Sequence, residues 1–219
     1  MTETLYKLTD KDGYTRWGLS GETKWGAGVT VTATGEGDKP CSAAFVHSYA
    51  TPLLAEFCNP IHASHDTETM LLWEAEGDIA GTDGLKCWGR SLTTLRQIER
   101  PEVTTEHRVR FAIACGLRCY REPQYLAWAR AWLDGTNRSA EAAGAAWAAR
   151  AAAGAARAAA WAAEAAEAAW AARAAEAAEE AARAAEEAAA DYSIDFAALA
   201  EWAVSDAPAP EKWFAEAEQ

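Results

Sequence analysis

The segment MLLWEAEG at residues 70–77 decides the class of the fold. Its apolar first half, the alternation around Trp73 and the turn signal Gly77-Asp78 predict a strong β-strand. Outward from it, further short runs predict strands at residues 4–8, 14–19, 28–34, 43–49 and 85–90, while residues 92–98 stay ambiguous. The first two of these runs, joined by turn residues 10–13, predict a hairpin. A mixed α+β domain is therefore expected over residues 1–100.

Helical signals interrupt and then follow these strands. Thr51 and Pro52 predict a helix through Cys58, with Thr51 as its N-cap and a loop over residues 59–67. Thr104 or Thr105 can cap a second helix that runs to about Tyr120. Pro123 opens a third helix through Leu133, and the sequence Asp-Gly-Thr-Asn at residues 134–137 ends it. Residues 101–137 thus predict a pair of helices.

Alanine dominates the next segment. Residues 140–190 contain 34 Ala among 51 positions, and Ala, Glu and Arg are the strongest helix formers. A long helix is expected over residues 138–190, either as one rod or folded back at Gly154, and we favour a mainly continuous helix. Residues 191–219 return to ordinary composition. They predict an amphipathic helix capped by Asp191 or Ser193, followed by a short final helical turn or two.

Charge and cysteine usage limit the functional classes. The chain has a net charge of −13, and residues 140–219 carry 15 acidic against 5 basic residues. Nucleic-acid binding requires a basic face, so this composition argues against it. The five Cys residues form no CxxC pair, and the N-terminus shows no signal-peptide pattern. No apolar run reaches membrane-spanning length. A cytoplasmic protein without membrane contact is expected.

Eleven Trp residues are many for 219 residues. The simpler interpretation is that large rings fill the space that Ala-rich helices leave. The alternative is an aromatic surface for a partner. Trp147, Trp161 and Trp170 lie in the Ala-rich segment, where helix propensity alone gives marginal stability. We predict that they anchor this segment on the domain, on another helix or on another chain.

Two short constellations carry residue types that could support chemistry. Glu74 and Glu76 lie on one face of the predicted strand, and His47 and Tyr49 alternate on another. This set is similar to the histidine, tyrosine and glutamate residues of ADP-ribosyltransferases, in which a carboxylate orients the ribose. The alternative is that these residues form the solvated face of half-buried strands.

Cys58, His62 and His65 have side chains that suit zinc. Their spacing matches no standard zinc finger, so loop polarity is the preferred explanation. No dinucleotide, phosphate-loop, serine-hydrolase or metalloprotease motif is present. We therefore expect no cofactor and no metal, and we favour a non-enzymatic role.

Residues 3–100 resemble an uncharacterised domain family of phages and prophages. The resemblance is carried by Tyr6-Lys7, Cys41, Phe45-Val46-His47, Pro52, Trp73-Glu74-Ala75-Glu76-Gly77 and Lys86. The helical part is loosely similar to Ala-rich immunity proteins of actinobacteria. The resemblance implies a phage accessory protein in the bacterial host cytoplasm, and it assigns no catalytic residues.

Three functional hypotheses follow. The first is an accessory protein that binds a protein partner, with inhibition of a host protein as one form of this role. The second is an ADP-ribosyltransferase-like enzyme. The third is a structural protein that self-associates through its Ala-rich helix.

Overall fold

The computed structural model describes residues 3–16, 18, 22–40, 42–63, 65–119, 121–139 and 194–218. The chain divides into two compact units, Met1–Glu102 and Val103–Gln219. The first holds antiparallel sheets and a helix, and the second holds helices in its described part, so the fold class is α+β. Each unit is described separately below.

Unit 1 contains two antiparallel sheets. The larger has the strand order β1-β4-β7-β2 and the smaller has the order β3-β6-β5. The strand bounds are β1 Glu3–Thr9, β2 Val29–Thr32, β3 Val46–Ser48, β4 Leu71–Gly77, β5 Gly81–Thr82, β6 Cys87–Gly89 and β7 Ser91–Ile98. The segment at residues 70–77 thus forms a strand with neighbours on both sides, and residues 92–98 also form one.

The pairing of β4 with β7 contains a β-bulge. Glu74 is opposite Arg96 and Ala75 is opposite Thr94, so Leu95 is the extra residue. A bulged residue leaves the regular alternation of faces. Accordingly, Leu95 is 39% exposed, whereas the neighbouring sheet face packs into a core. That core contains Leu5, Trp25, Ala75, Cys87 and Leu92.

The predicted hairpin of residues 4–8 with residues 14–19 is wrong. β1 pairs with β4 and bridges to Tyr49, and none of the described residues of 14–19 belongs to a strand. The reason lies in Glu22, whose carboxylate accepts the backbone N–H groups of Thr15, Arg16 and Gly18 at 2.7–3.1 Å. Backbone donors held by a side chain cannot pair with a second strand.

The first helix is longer than the sequence predicts. α1 spans Pro52–His62, and Thr51 is its N-cap as expected, accepting from the Leu54 N–H. The predicted loop over residues 59–67 is therefore partly helical. Glu56 is buried and bonds Arg100 through both carboxylate oxygens at 2.7 and 3.0 Å. Tertiary contacts of this kind override local helix propensity, which is a weak guide to where a helix ends.

Unit 2 is helical in its described part. Thr104 caps the first helix of unit 2, because its hydroxyl accepts the His107 N–H at 3.2 Å. The third helix of this unit is capped by Asp195, whose side chain accepts the Ala198 N–H at 3.0 Å, so the predicted cap at Asp191 or Ser193 is wrong. The bounds are α2 Thr105–Cys119, α3 Pro123–Leu133, α4 Phe196–Ala203 and α5 Glu211–Ala217. The helices predicted around 105–120 and 123–133 and in the C-terminal tail are confirmed.

Several predictions lie outside the described residues. They concern the Ala-rich helix, as one rod or folded back at Gly154, and the contacts of Trp147, Trp161 and Trp170. These stay predictions.

Candidate functional sites

The sequence assigned His47 and Tyr49 to one candidate site and His62 to another. The fold brings these two sets together, at the end of β3 and in α1. Tyr49 exchanges both backbone hydrogen bonds with Tyr6 of β1 at 2.9 Å. Its ring stacks on His62 with 5.9 Å between the centroids, and its Oη lies 3.4 Å from His62 Nδ1. His47 lies two residues before Tyr49, and its Nε2 lies 2.8 Å from the Pro40 carbonyl oxygen. The histidines of β3 and α1 therefore belong to one region.

The two carboxylates of β4 have different surroundings. Glu74 is in register with Tyr6 on one side and with Arg96 on the other. Arg96 donates to both oxygens of Glu74, at 2.6 and 3.4 Å. Glu76 is exposed. Glu74 thus shares a sheet face with Tyr49 across β1, but its oxygens are occupied by an arginine.

The residue types proposed for zinc do not assemble. Cys58 is buried within α1, His62 ends the helix and His65 follows it. Within the described ranges, no group of three His, Cys, Asp or Glu side chains could hold a metal ion.

Lys7 is the functional group that sequence reasoning missed. Its Nζ donates to the His47 carbonyl oxygen at 2.7 Å and lies 5.1 Å from the centroid of the Trp25 ring. Burial lowers the pKa of Lys7 to about 8, although the charge of Glu22 opposes this. Strand alternation could have found it, because Lys7 shares a face with the buried residues Leu5 and Thr9.

His65 is a second buried group. His65 is 4% exposed, and within the described residues neither ring nitrogen has a hydrogen-bond partner. The Asn59 side chain holds the His65 backbone through both its N–H and its carbonyl, at 2.9 and 2.8 Å. Burial lowers the pKa of His65, with Asp10 opposing and Lys7 adding to the effect, and burial with Lys7 also lowers that of His47. The region is therefore rich in groups whose protonated forms are disfavoured.

We expect Lys7→Met to stabilise unit 1 at pH 7. Folded Lys7 releases its proton near pH 8, whereas the unfolded chain keeps it to about pH 10.5. Between these values the unfolded state binds more protons, so stability rises with pH. Below pH 8 the full cost of the buried ammonium is present, about 3 kcal/mol at about 1.4 kcal/mol per pKa unit.

Urea unfolding between pH 6 and 10.5 measures this effect. The wild type should gain stability above pH 8, and Lys7→Met should gain much less. Lys11→Met is the matched control, because Lys11 is exposed and its amine pairs with Asp12. Equal pH profiles for Lys7→Met and the wild type would show that the ammonium is not destabilised.

Unit 2 carries a groove that the sequence did not indicate. The groove lies between helices α2, α4 and α5, is open to solvent and has a volume of about 590 Å³. Trp202 and Trp213 form part of its wall, with edge-to-face rings whose centroids are 4.7 Å apart. The charged lining residues are Arg118, Arg121, Lys212, Asp195 and Glu216. The groove combines apolar surface with basic groups on an acidic chain.

Arginines cover the aromatic rings of unit 2. Each guanidinium carbon lies 4.1–4.8 Å from a ring centroid, a distance at which cation–π attraction is significant. The pairs are Arg110 with Trp202, Arg118 with Trp213, Arg130 with Phe214, and Arg138 with Trp132. Trp128, Trp132 and Trp213 are buried, whereas Trp202 is partly exposed.

No protein-family model matches the chain, and no curated protein or solved structure is significantly similar to it. Among the residues that the structure describes, no helix is both long and apolar enough to cross a membrane.

Proposed function

We propose that this chain is a phage accessory protein that acts by binding a protein partner through the groove of unit 2. The observation that carries the proposal is the groove itself, a concave surface that combines tryptophan and leucine with exposed basic side chains. Concave apolar surfaces with a few polar groups are the usual form of binding sites.

The charges of the groove define the partner. Asp195 is engaged as the N-cap of α4, and Glu216 pairs with Arg118 at 2.8 Å. Lys212 and Arg121 are exposed at the same groove. A segment that presents a large apolar side chain beside carboxylates complements this arrangement.

The rigidity of the groove also supports binding of a partner there. Arg118 stacks on Trp213 and bonds Glu216, so both sides of the groove are connected across α2 and α5. Arg110 connects α2 to the end of α4 by bonding the carbonyls of Trp202 and Ala203. A preformed site loses little conformational entropy when it binds.

The resemblance of residues 3–100 to a phage domain family supports a role in an infected cell. A bound host protein in the bacterial cytoplasm would be inhibited if the groove occupied a surface that the host protein needs. Inhibition is thus part of the proposed function.

Substitution of one exposed alanine tests the proposal. Ala198 lies on α4 and lines the groove, whereas Ala215 is an exposed alanine of α5 that does not. Ala198→Trp should fill the groove and abolish capture of a partner from host lysate. Ala215→Trp makes the same change elsewhere and should leave capture intact. Equal capture by both variants would locate binding outside the groove.

The enzyme and self-assembly hypotheses are tested on the same samples. NAD consumption by the wild type that Glu76→Gln abolishes would favour an ADP-ribosyltransferase. A sedimentation coefficient that rises with protein concentration would favour self-association.

A further inference from the structure

Helix α5 is held on unit 2 by arginines that each make two kinds of contact with it. Arg118 of α2 lies 4.8 Å from the centroid of the Trp213 ring, and its Nη1 donates to Glu216 Oε2 at 2.8 Å. Trp213 and Glu216 are three residues apart, so they are neighbours on the helix surface. One guanidinium therefore contacts a ring and a carboxylate that the helix presents side by side.

Arg130 of α3 makes the same combination of contacts. It lies 4.1 Å from the centroid of the Phe214 ring, and its Nη1 donates to both oxygens of Glu211 at 2.8 and 2.7 Å. Glu211 and Phe214 are again three residues apart. The two rings are adjacent in the sequence, and the carboxylates flank them. The two arginines thus recognise the pattern Glu-x-aromatic-aromatic-x-Glu, which residues 211–216 supply here.

The attachment of α5 depends mainly on its two rings. The helix has seven residues, and so short a helix is marginal without tertiary packing. The side chains of Glu211 and Glu216 are 81% and 57% exposed, and ion pairs at such exposed positions contribute little. Trp213 and Phe214 are buried, so their contacts provide most of the attachment. Detachment of α5 would uncover the surface of α2 and α3 on which these rings lie.

The segment before α5 is fixed by contacts of its own. The Arg110 guanidinium donates to the carbonyls of Ala203 and Ala207 at 3.1 and 2.8 Å. Beyond Ala207, Pro208 and Pro210 separate α4 from α5, and a proline does not continue a helix. The bonds of Arg110 do not involve α5, so its detachment would leave them in place.

We propose that the surface of α2 and α3 that carries Arg118 and Arg130 is a docking surface for partner segments with this pattern, and that α5 covers it until such a segment displaces it. The partner segment is a short helix with two adjacent aromatic residues between two carboxylates. The evidence for this chemistry is α5 itself, which the arginines contact through these groups. The docking surface shares Arg118 with the groove but extends to α3, and the inference holds whether or not the groove binds a partner.

A fluorescently labelled peptide of residues 207–218 tests the docking surface by anisotropy on the full chain. In the wild type α5 competes with it, because a tethered segment has an effective concentration on the order of millimolar. A double variant with Trp213→Ala and Phe214→Ala removes this competitor, so it should bind the peptide at least tenfold more tightly than the wild type does. A peptide with Glu211→Lys and Glu216→Lys should bind the double variant at least tenfold more weakly. Equal binding by the double variant and the wild type, or equal binding of the two peptides, would overturn the proposal.

Two arginine variants locate the bound peptide. In the background of the double variant, Arg130→Ala should weaken peptide binding at least tenfold, because it removes a ring contact and two charge-assisted hydrogen bonds. Arg96→Ala removes an exposed arginine of unit 1 and should leave peptide binding unchanged. Undiminished binding after Arg130→Ala would place the peptide elsewhere and reject the docking surface.

Hydrogen exchange of the wild type tests the displacement without any substitution. The backbone amides of α5 should be at least tenfold less protected than those of α2, because α5 opens locally. Equal protection of both helices would contradict the proposal, since α5 would then leave only when unit 2 unfolds. Wild-type dimers that excess peptide dissociates would also contradict it, because the occupant would then be the α5 of a second copy.

Discussion

Arg110→Ala is expected to lower the free energy of unfolding of unit 2 by about 3–5 kcal/mol, since it removes several charge-assisted hydrogen bonds and a ring contact together. Arg110 is 8% exposed, and its guanidinium donates to the carbonyls of Ala203 and Ala207 at 3.1 and 2.8 Å. It also lies 4.2 Å from the centroid of the Trp202 ring. The last carbonyls of a helix have no partner within that helix. Arg110 satisfies those at the end of α4.

Two controls define the origin of this loss. Arg110→Lys keeps the charge but loses the planar fork that spans several carbonyls, so an intermediate loss is expected. Arg96→Ala removes an arginine whose side chain is 68% exposed, and it should cost less than about 1 kcal/mol. Urea unfolding monitored by tryptophan fluorescence measures all three. A loss below 1 kcal/mol for Arg110→Ala would show that the bonds to α4 contribute little.

Gly116→Ala is expected to destabilise unit 2 by about 2–4 kcal/mol, from overpacking and a broken buried hydrogen bond. A Cβ at Gly116 would clash with Tyr125 Oη and would lie 2.9 Å from Tyr125 Cζ. Tyr125 is fully buried and donates to the Ile113 carbonyl at 3.2 Å, so its ring cannot move aside freely. The direction of the change in stability is informative, because Gly→Ala within an ordinary helix stabilises a protein by about 1 kcal/mol.

A double-mutant cycle with Tyr125→Phe tests the cause. Removing the phenolic oxygen relieves the closest contact, so Gly116→Ala should cost at least about 1 kcal/mol less in the Tyr125→Phe background. Thermal unfolding followed by circular dichroism gives the four values. Additive effects would show that Gly116 and Tyr125 do not compete for the same space.

Local signals predicted most elements of unit 1, and the failures have tertiary causes. The strand at residues 70–77 was evident because its apolar run and its turn signal are both local. The predicted helix ended at Cys58 and was followed by a loop over residues 59–67, but α1 continues to His62. The Glu56 ion pair with Arg100 spans 44 residues and has no local signature.

The candidate sites depend even more on distant contacts. Alternation correctly placed Glu74 and Glu76 on one face, yet it could not show that Arg96 bonds Glu74 across the sheet. The stacking of Tyr49 on His62 joins residues that the sequence assigned to different constellations. Likewise, the groove joins α2 to helices that begin at Phe196 and Glu211. The net negative charge of the chain gave no indication that this groove carries basic side chains.

Peptide selection on the full chain tests the groove most directly. Peptides selected from a random displayed library should share a large apolar residue next to Asp or Glu. Fluorescence anisotropy should then show that Ala198→Trp weakens their binding at least tenfold, that Lys212→Glu also weakens it, and that Ala215→Trp leaves it unchanged. Selected peptides that bind Ala198→Trp as tightly as the wild type would contradict the account.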